Sequence, residues 1–162
     1  MYRIDWVMAK PPTVEALTKV VCPTAAFGSV YGCVVYVGSR KPVTGADWDS
    51  YLAFITPLLS TERALPRVVW DDSGGPSALG RQKLASLTEG CPVKVAIITD
   101  AAAGRNAATV LNWNRREESY RTFSSRELEA AIEFTGIAKF AIERVQQAML
   151  ELRRELGFEP ER

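Results

Sequence analysis

Strand-like and helix-like segments alternate four times between residues 30 and 136, and this alternation constrains the fold more than any other feature of the sequence. Runs rich in β-branched and aromatic residues occur at Val30–Val37, Arg67–Trp70, Val93–Ile98 and Tyr120–Phe123, and each precedes a segment of helical periodicity. The run Val93–Ile98 is almost continuously apolar, which is typical of a strand covered on both faces. Short links between such strands and helices require right-handed crossovers. The sequence therefore predicts an α/β domain with a mixed, mostly parallel sheet and helices packed on it.

The starts of three helices carry capping signals. Thr44 is followed three residues later by Asp47, and Ser124 is followed by Glu127 at the same spacing. This is the pattern of a capping box, in which the side chains of the two residues bind each other's backbone N–H groups. Ser77 or a neighbour is expected to cap a further helix. These positions predict where the chain turns from strand to helix.

The two ends of the chain are less regular than the centre. Short strands at Val7–Lys10 and Leu17–Cys22 could add antiparallel edges to the sheet. A helix from about Ala102 to Asn112 is expected to link the last two predicted strands. The predicted division of the chain is an N-terminal extension at 1–28, an α/β domain at 29–136, a C-terminal amphipathic helix at 137–157 and a tail at 158–162.

The C-terminal helix carries apolar residues at steps of four, three and four, which is the spacing of a heptad seam. One interpretation is that this seam packs on its own domain. The other is that it pairs with a partner, of which a second copy of the chain is the simplest. Because the seam is shorter than three heptads, pairing would need help from the rest of the domain. In that case the oligomer interface would consist of Ile142, Val145, Met149, Leu152 and Leu156.

Composition excludes several classes of function. The 20 basic and 19 acidic side chains give a net charge of +1, so no broad basic field for nucleic acid is expected. The chain contains no histidine, the commonest general base and zinc ligand. Cys22, Cys33 and Cys91 are odd in number and form no C-x-x-C pair, which favours reduced thiols in a cytoplasmic protein. No apolar run approaches the roughly 18 residues of a membrane helix, and the N-terminus lacks the pattern of a secretory signal.

Carboxylates follow two of the predicted strands. Asp71 and Asp72 open the turn D-D-S-G-G-P-S after the run Arg67–Trp70. Asp100 follows the run Val93–Ile98 and is separated from it by Thr99. In an open α/β sheet, ligands bind beyond the carboxyl ends of the strands where the crossovers change side. The three aspartates could therefore share a divalent cation or a hydroxyl-bearing ligand. The alternative is turn and cap chemistry, for which Asp, Ser and Gly are the usual residues.

Anion contact and nucleophilic catalysis are the other chemistries to consider. Arg81 and Arg105 could contact an anion or hold the aspartates, although surface ion pairs contribute at most about 1 kcal/mol. Ser73 and Ser77 have no histidine to act as their base, so no catalytic residue is predicted. No cofactor and no metal ligand set is predicted either.

The segment from about Tyr31 to Ile137 resembles the SpoIIAA-like group, which are STAS-like relatives of the sulphate-transporter and anti-anti-sigma-factor domain. The resemblance lies in the order and spacing of several short motifs rather than in any one of them. These motifs are Thr44-Gly45-Ala46-Asp47-Trp48, Arg67-Val68-Val69-Trp70-Asp71-Asp72, Val95-Ala96-Ile97-Ile98-Thr99-Asp100, Arg105 before a helix that ends near Trp113, Tyr120-Arg121-Thr122-Phe123-Ser124 and Glu127-Leu128-Glu129-Ala130-Ala131.

The resemblance implies a mixed sheet with helices on one face and a role in regulation or protein contact. In STAS anti-anti-sigma proteins, a serine in an Asp-Ser-Ser-Gly turn at a helix start is phosphorylated and controls partner binding. The nearest counterparts here are Asp72, Ser73 and Ser77. A phosphate there would be favoured by the helix dipole and repelled by the neighbouring aspartates. The resemblance to SpoIIAA-like and lipid-transfer-like proteins also implies an apolar cleft for a lipid.

Two functions are therefore expected as alternatives. The first is a non-enzymatic STAS-like regulatory or scaffolding module that acts through protein–protein contact, with a second copy as one possible partner. The second is a binder of a small molecule, lipid or nucleotide, or a metal-assisted enzyme, that uses Asp71, Asp72 and Asp100.

Overall fold

A six-stranded mixed sheet organises the chain in the computed structural model, which describes residues 15–101 and 119–159. The strands lie in the sheet in chain order, β1 to β6. They are β1 (Thr18–Val21), β2 (Ala25–Val30), β3 (Cys33–Gly38), β4 (Leu65–Trp70), β5 (Val93–Ile98) and β6 (Tyr120–Phe123). β1, β2 and β3 pair antiparallel, whereas β3, β4, β5 and β6 pair parallel. The predicted α/β class with a mixed sheet is confirmed.

Four helices accompany the sheet in the described part of the chain. They are α1 (Gly45–Ile55), α2 (Ala78–Leu87), α3 (Leu128–Phe134) and α4 (Lys139–Glu155). Thr44 Oγ1 accepts a hydrogen bond from the backbone N–H of Asp47 at 3.2 Å, and Ser77 Oγ accepts one from Gly80 at 3.1 Å. Ser124 and Glu127 form the reciprocal pair of a capping box before α3. The three predicted caps are therefore confirmed, but the second bond of the capping box at Thr44 is wrong. Asp47 Oδ2 accepts instead from the backbone N–H and the hydroxyl of Thr24, at 2.8 and 2.5 Å.

Helices cover both faces of the sheet, so the single covered face that the family resemblance implies is wrong. α1 and α2 pack on one face, here called the α1 face, where Val34 and Tyr36 of β3 join its core. α3 and α4 pack on the other, here called the α4 face, where Cys33 and Val35 of the same strand are buried. Because alternate side chains of β3 point to opposite cores, the whole strand is buried.

The predicted strand Val30–Val37 is two strands joined by a tight turn. Tyr31 has φ of 49° and Gly32 has φ of 73°, and two successive residues with positive φ make the two-residue turn that joins antiparallel strands. Val30 accordingly pairs with Cys33. β2 therefore spans the predicted boundary between residues 28 and 29, and it is an inner strand of the sheet rather than part of an extension.

The apolar seam of α4 is buried on its own domain. Val145, Met149 and Leu152 are fully buried in the α4-face core, and Ile142 is nearly so. Leu156, beyond the end of the helix, packs against the same cluster while half-buried. The burial of Ile142, Val145, Met149 and Leu152 contradicts an oligomer interface at these four side chains, because their apolar surface already contacts the chain's own core. For the half-buried Leu156 the interface stays a prediction.

Several predictions lie outside the described residues: the strand Val7–Lys10, the helix Ala102–Asn112 and the contact role of Arg105. Within the described residues, no helix has the length and apolar character needed to cross a membrane. Cys22, Cys33 and Cys91 are free thiols. Burial raises the pKa of the Cys33 thiol to about 12, so this cysteine is an unreactive core residue.

Candidate functional site

Three aspartates meet at the edge where the parallel strands end, and we call Asp71, Asp72 and Asp100 the acidic rim. Asp72 Oδ1 accepts hydrogen bonds from Thr99 Oγ1 at 3.0 Å and from the backbone N–H of Asp100 at 2.9 Å. Asp100 Oδ1 accepts one from the backbone N–H of Ser125 at 3.1 Å. The rim carboxylates therefore tie the end of β4 to that of β5, and the end of β5 to the start of α3.

The arrangement of the rim favours turn chemistry over metal binding. Asp71 Oδ1 accepts from both the backbone N–H and the hydroxyl of Ser73, at 2.8 and 2.5 Å, and so closes its own turn. Within residues 15–101 and 119–159, no three acidic or cysteine side chains are grouped so as to hold a metal ion. The structure thus places the three predicted aspartates at one edge of the sheet. Each carboxylate, however, accepts hydrogen bonds from a neighbouring loop.

Asp71 is packed tightly because its neighbour on β3 is a glycine. A Cβ on Gly38 would lie 2.6 Å from Asp71 Oδ1, so a larger residue fits there only if the Asp71 side chain moves. The Asp71 side chain is 8% exposed, and this burial raises the pKa of its carboxyl group. The hydroxyl and N–H of Ser73 lower that pKa in part, while the nearby Asp72 raises it further. A buried, hydrogen-bonded carboxylate of this kind is a structural part of the turn.

The raised pKa of Asp71 predicts a pH-dependent stability. Because this pKa lies above the ordinary value of 3.8, the folded state binds the proton more tightly than the unfolded state. The stabilisation is complete below the unfolded pKa and is lost as pH rises through the folded pKa. We therefore expect the free energy of unfolding of the native protein, relative to Asp71→Asn, to fall as pH rises from about 4 to 7. Urea unfolding across this range measures the difference.

The matched control for that experiment is Asp49→Asn, which removes an exposed carboxylate on α1. It should leave the pH dependence close to that of the native protein. A difference between the native protein and Asp71→Asn that is flat across the range, or that grows with pH, would contradict the assignment of a raised pKa to Asp71.

The turn from Asp72 to Ser77 contains both serines of the predicted phosphoswitch. Ser73 is half-buried with its hydroxyl donated to Asp71, whereas Ser77 is exposed at the start of α2. Leu79, in the first turn of α2, is 61% exposed. Arg81 is exposed and donates from Nη1 to the backbone carbonyl of Pro76 at 3.1 Å, so it holds the turn. The bond to Pro76 does not test the predicted anion contact of Arg81, which stays a prediction.

The described crossovers do not form the ligand crevice that the sequence predicts. Such a crevice requires neighbouring crossovers to cover opposite faces of the sheet. Here α1 and α2 both lie on the α1 face, and the parallel strands follow one another in chain order. This edge of the sheet instead carries a shallow cleft of about 270 Å³ beside Asp100, and most of the residues that line it have polar side chains. Its other lining residues are Thr99, Thr122, Phe123, Ser124 and Glu127.

A larger groove of about 620 Å³ lies at the opposite edge of the sheet, and the sequence did not indicate it. We call it the aromatic groove. The β2–β3 turn, the segment before β4 and the link between α3 and α4 form its walls. Its lining includes Glu15, Tyr31, Arg63, Pro66, Ile137 and Phe140. Phe140 is 74% exposed, and its ring stands edge-on to that of Tyr31 with centroids 5.4 Å apart.

Hydrogen bonds hold Tyr31 in place at this groove. The carboxylate of Glu15 accepts from the backbone N–H of Tyr31, and the Tyr31 hydroxyl accepts from the backbone N–H of Glu15 at 3.1 Å. Arg144 of α4 in turn donates from Nε to the Glu15 carbonyl at 3.2 Å. The sequence around Tyr31 predicts a strand, so it does not indicate the groove. The available signal was Phe140, an aromatic residue outside the apolar seam of its helix.

No family model, no curated protein and no solved structure matches this chain. The STAS-like resemblance therefore remains a prediction made from the residues.

Proposed function

We propose that this chain is a non-enzymatic α/β module that binds a protein partner, and that the aromatic groove is its contact surface. The observation that carries the proposal is the exposure of Phe140 beside a fixed tyrosine in the largest groove described above. Exposed apolar patches with polar rims mark interaction sites on soluble proteins. Aromatic side chains are also enriched at the centres of protein interfaces.

The surroundings of Phe140 suit an anchor for a partner. Tyr31 is held by its bonds to Glu15, so little side-chain freedom would be lost when a partner binds. Arg63 is exposed at the wall formed by the segment before β4 and can pair with an acidic group on the partner. The partner that fits is therefore a protein segment with an apolar side chain for the groove and an acidic residue beside it.

The acidic rim supports a role other than catalysis. Its carboxylates accept hydrogen bonds from neighbouring loops, and the chain has no histidine to move a proton near neutral pH. The STAS-like resemblance suggests a regulatory or scaffolding role, in keeping with partner binding. It also suggests a second contact surface, made of the turn from Asp72 to Ser77 and the helix α2 that follows it. Leu79, in the first turn of α2, is an exposed apolar residue of this surface.

Substitution of Phe140 by serine is expected to abolish partner capture without unfolding the protein. Phe140 makes one ring contact and is mostly exposed, so its loss removes binding surface rather than core. The control is Leu150→Ser, which changes an apolar residue that is 46% exposed on the same helix. Immobilised native and variant proteins are compared for the partner they retain, with thermal unfolding recorded for each. Truncation of an interface anchor of this kind lowers the affinity for the partner about 30-fold or more.

Retention of the same partner at full strength by Phe140→Ser would contradict the groove as contact surface. Loss of the partner on Leu79→Ser, with Phe140→Ser unaffected, would move the contact to the start of α2. The competing class of function is tested with magnesium, calcium and nucleotides. A rise of several degrees in Tm with one of them would favour a small-molecule binder or metal-assisted enzyme.

A further inference from the structure

A buried arginine interrupts an apolar row at the centre of the sheet. Arg67 on β4 pairs in register with Val34 of β3 and Val95 of β5, and its side chain faces the α1 face with theirs. It is only 4% exposed. Inner strands of parallel sheets normally carry valine or isoleucine at such positions, because both of their faces are covered. An arginine there needs a chemical reason.

The contacts that Arg67 makes within the described ranges include no counter-ion. Nε donates to the hydroxyl oxygen of Tyr51 at 2.9 Å, and the guanidinium carbon lies 5.6 Å from the centroid of the Tyr51 ring. Nη1 is buried and has no hydrogen-bond partner among the described residues. The ion pairs found in that part of the chain involve other cations, namely Lys19, Lys83 and Arg144.

This pattern is unusual because arginine cannot relieve the problem by losing a proton. Its guanidinium stays charged in proteins at any ordinary pH. Buried charges are therefore normally paired with an opposite charge. No carboxylate among residues 15–101 and 119–159 pairs with Arg67, and a bound anion would supply the negative charge that this part of the chain lacks.

The neighbouring tyrosines add further hydrogen-bond donors without acceptors. Tyr51 is fully buried, and burial raises the pKa of its hydroxyl, so this group keeps its proton. Its oxygen already accepts from Arg67, which leaves the O–H free to donate. Tyr36, whose ring centroid lies 4.8 Å from that of Tyr51, has a buried hydroxyl with no partner among the described residues. Two buried polar atoms of the described part of this core, the Tyr36 hydroxyl and Arg67 Nη1, are therefore without a partner.

We propose that Arg67 and Tyr51 form a buried receptor for a small oxyanion, the size of a carboxylate or a phosphate group. One anion oxygen would accept from Nη1 of Arg67, and the same or a second oxygen from the Tyr51 hydroxyl. Guanidinium groups bind such anions well because their planar N–H groups match the spacing of two anion oxygens. A small anion is required because so little of Arg67 reaches the surface. The site is separate from the aromatic groove and does not depend on it.

Thermal unfolding in potassium phosphate, sodium sulfate and sodium acetate tests the receptor, with sodium chloride at equal ionic strength as reference. We expect at least one oxyanion to raise the Tm of the native protein saturably, by about 5 °C or more at a hundredfold excess over its dissociation constant. Arg67→Met should remove this rise, and Tyr51→Phe should weaken it. Arg81→Met, which changes an exposed arginine, should keep it. A larger rise in Tm with acetate than with phosphate would indicate a carboxylate ligand, and the reverse would indicate a phosphate ligand.

A Tm that does not respond to any of these anions, or an equal response in the native protein and Arg67→Met, would overturn the proposal. Should Arg67→Met not fold, nitrogen-15 NMR of the native protein decides the question. The Arg67 Nε signal, assigned through Arg67→Lys, should move on titration with the active anion. An unmoved signal at saturating anion likewise overturns it.

Discussion

Replacement of Val145 by aspartate is expected to lower the free energy of unfolding by at least about 3 kcal/mol, and to unfold much of the protein at 37 °C. Val145 is 0% exposed and lies in the α4-face core, between α4 and the sheet. An aspartate at this position would place a carboxylate among apolar side chains that cannot bind it. Urea unfolding followed by circular dichroism measures the loss.

The control for this substitution is on the same helix. Leu150 is 46% exposed, so Leu150→Asp should cost less than about 1 kcal/mol. If the α4 seam served only to join two copies, Val145→Asp would instead give a stable, folded monomer. Light scattering beside the unfolding curves distinguishes these results, and a folded Val145→Asp would contradict the packing of α4 described here.

Replacement of Gly38 by alanine is the second change with a large expected effect. Its new Cβ would stand 2.6 Å from Oδ1 and 2.7 Å from Cγ of Asp71, which is itself buried. Relief requires Asp71 to move, and the bonds from Ser73 that close the turn would then break. We expect a loss of about 2 kcal/mol or more from overpacking and the broken bonds together.

A matched glycine and a second substitution separate the clash from other effects. A Cβ on Gly45, at the start of α1, would meet no atom within 4 Å, so Gly45→Ala should be close to neutral or slightly stabilising. Adding Asp71→Ala to Gly38→Ala removes the atoms that clash, so the double variant should lose less than the sum of the single losses. Strict additivity in this cycle, or a neutral Gly38→Ala, would show that the contact is not strained.

The two edges of the sheet have different consequences for function. At the carboxyl edge, the hydrogen bonding of turns explains the aspartates and serines without a ligand, because each carboxylate accepts bonds from a loop. At the other edge, the exposed Phe140 has no comparable structural role. The proposed partner site therefore lies away from the residues that attract attention in the sequence.

Local patterns in the sequence determined the secondary structure of the centre. Thr44, Ser77 and Ser124 cap helices as predicted, since the bonds that they make are to residues only three positions away. The apolar run Val93–Ile98 is a buried strand with the predicted bounds, because its composition suits only a strand covered on both sides. The α/β class follows from the order of these elements.

Only the tertiary structure decided what depends on residues far apart in the chain. The β-branched residues on both sides of Tyr31 and Gly32 have the pattern of one long strand, so the sequence does not predict a turn there. The turn is evident only from the pairing of β2 with β3. The same periodicity on α4 suits a partner helix or the chain's own sheet, and only the packing selects between them. The aromatic groove and the contact of Arg67 with Tyr51 each join separate segments, and such contacts leave no local pattern for the sequence to show.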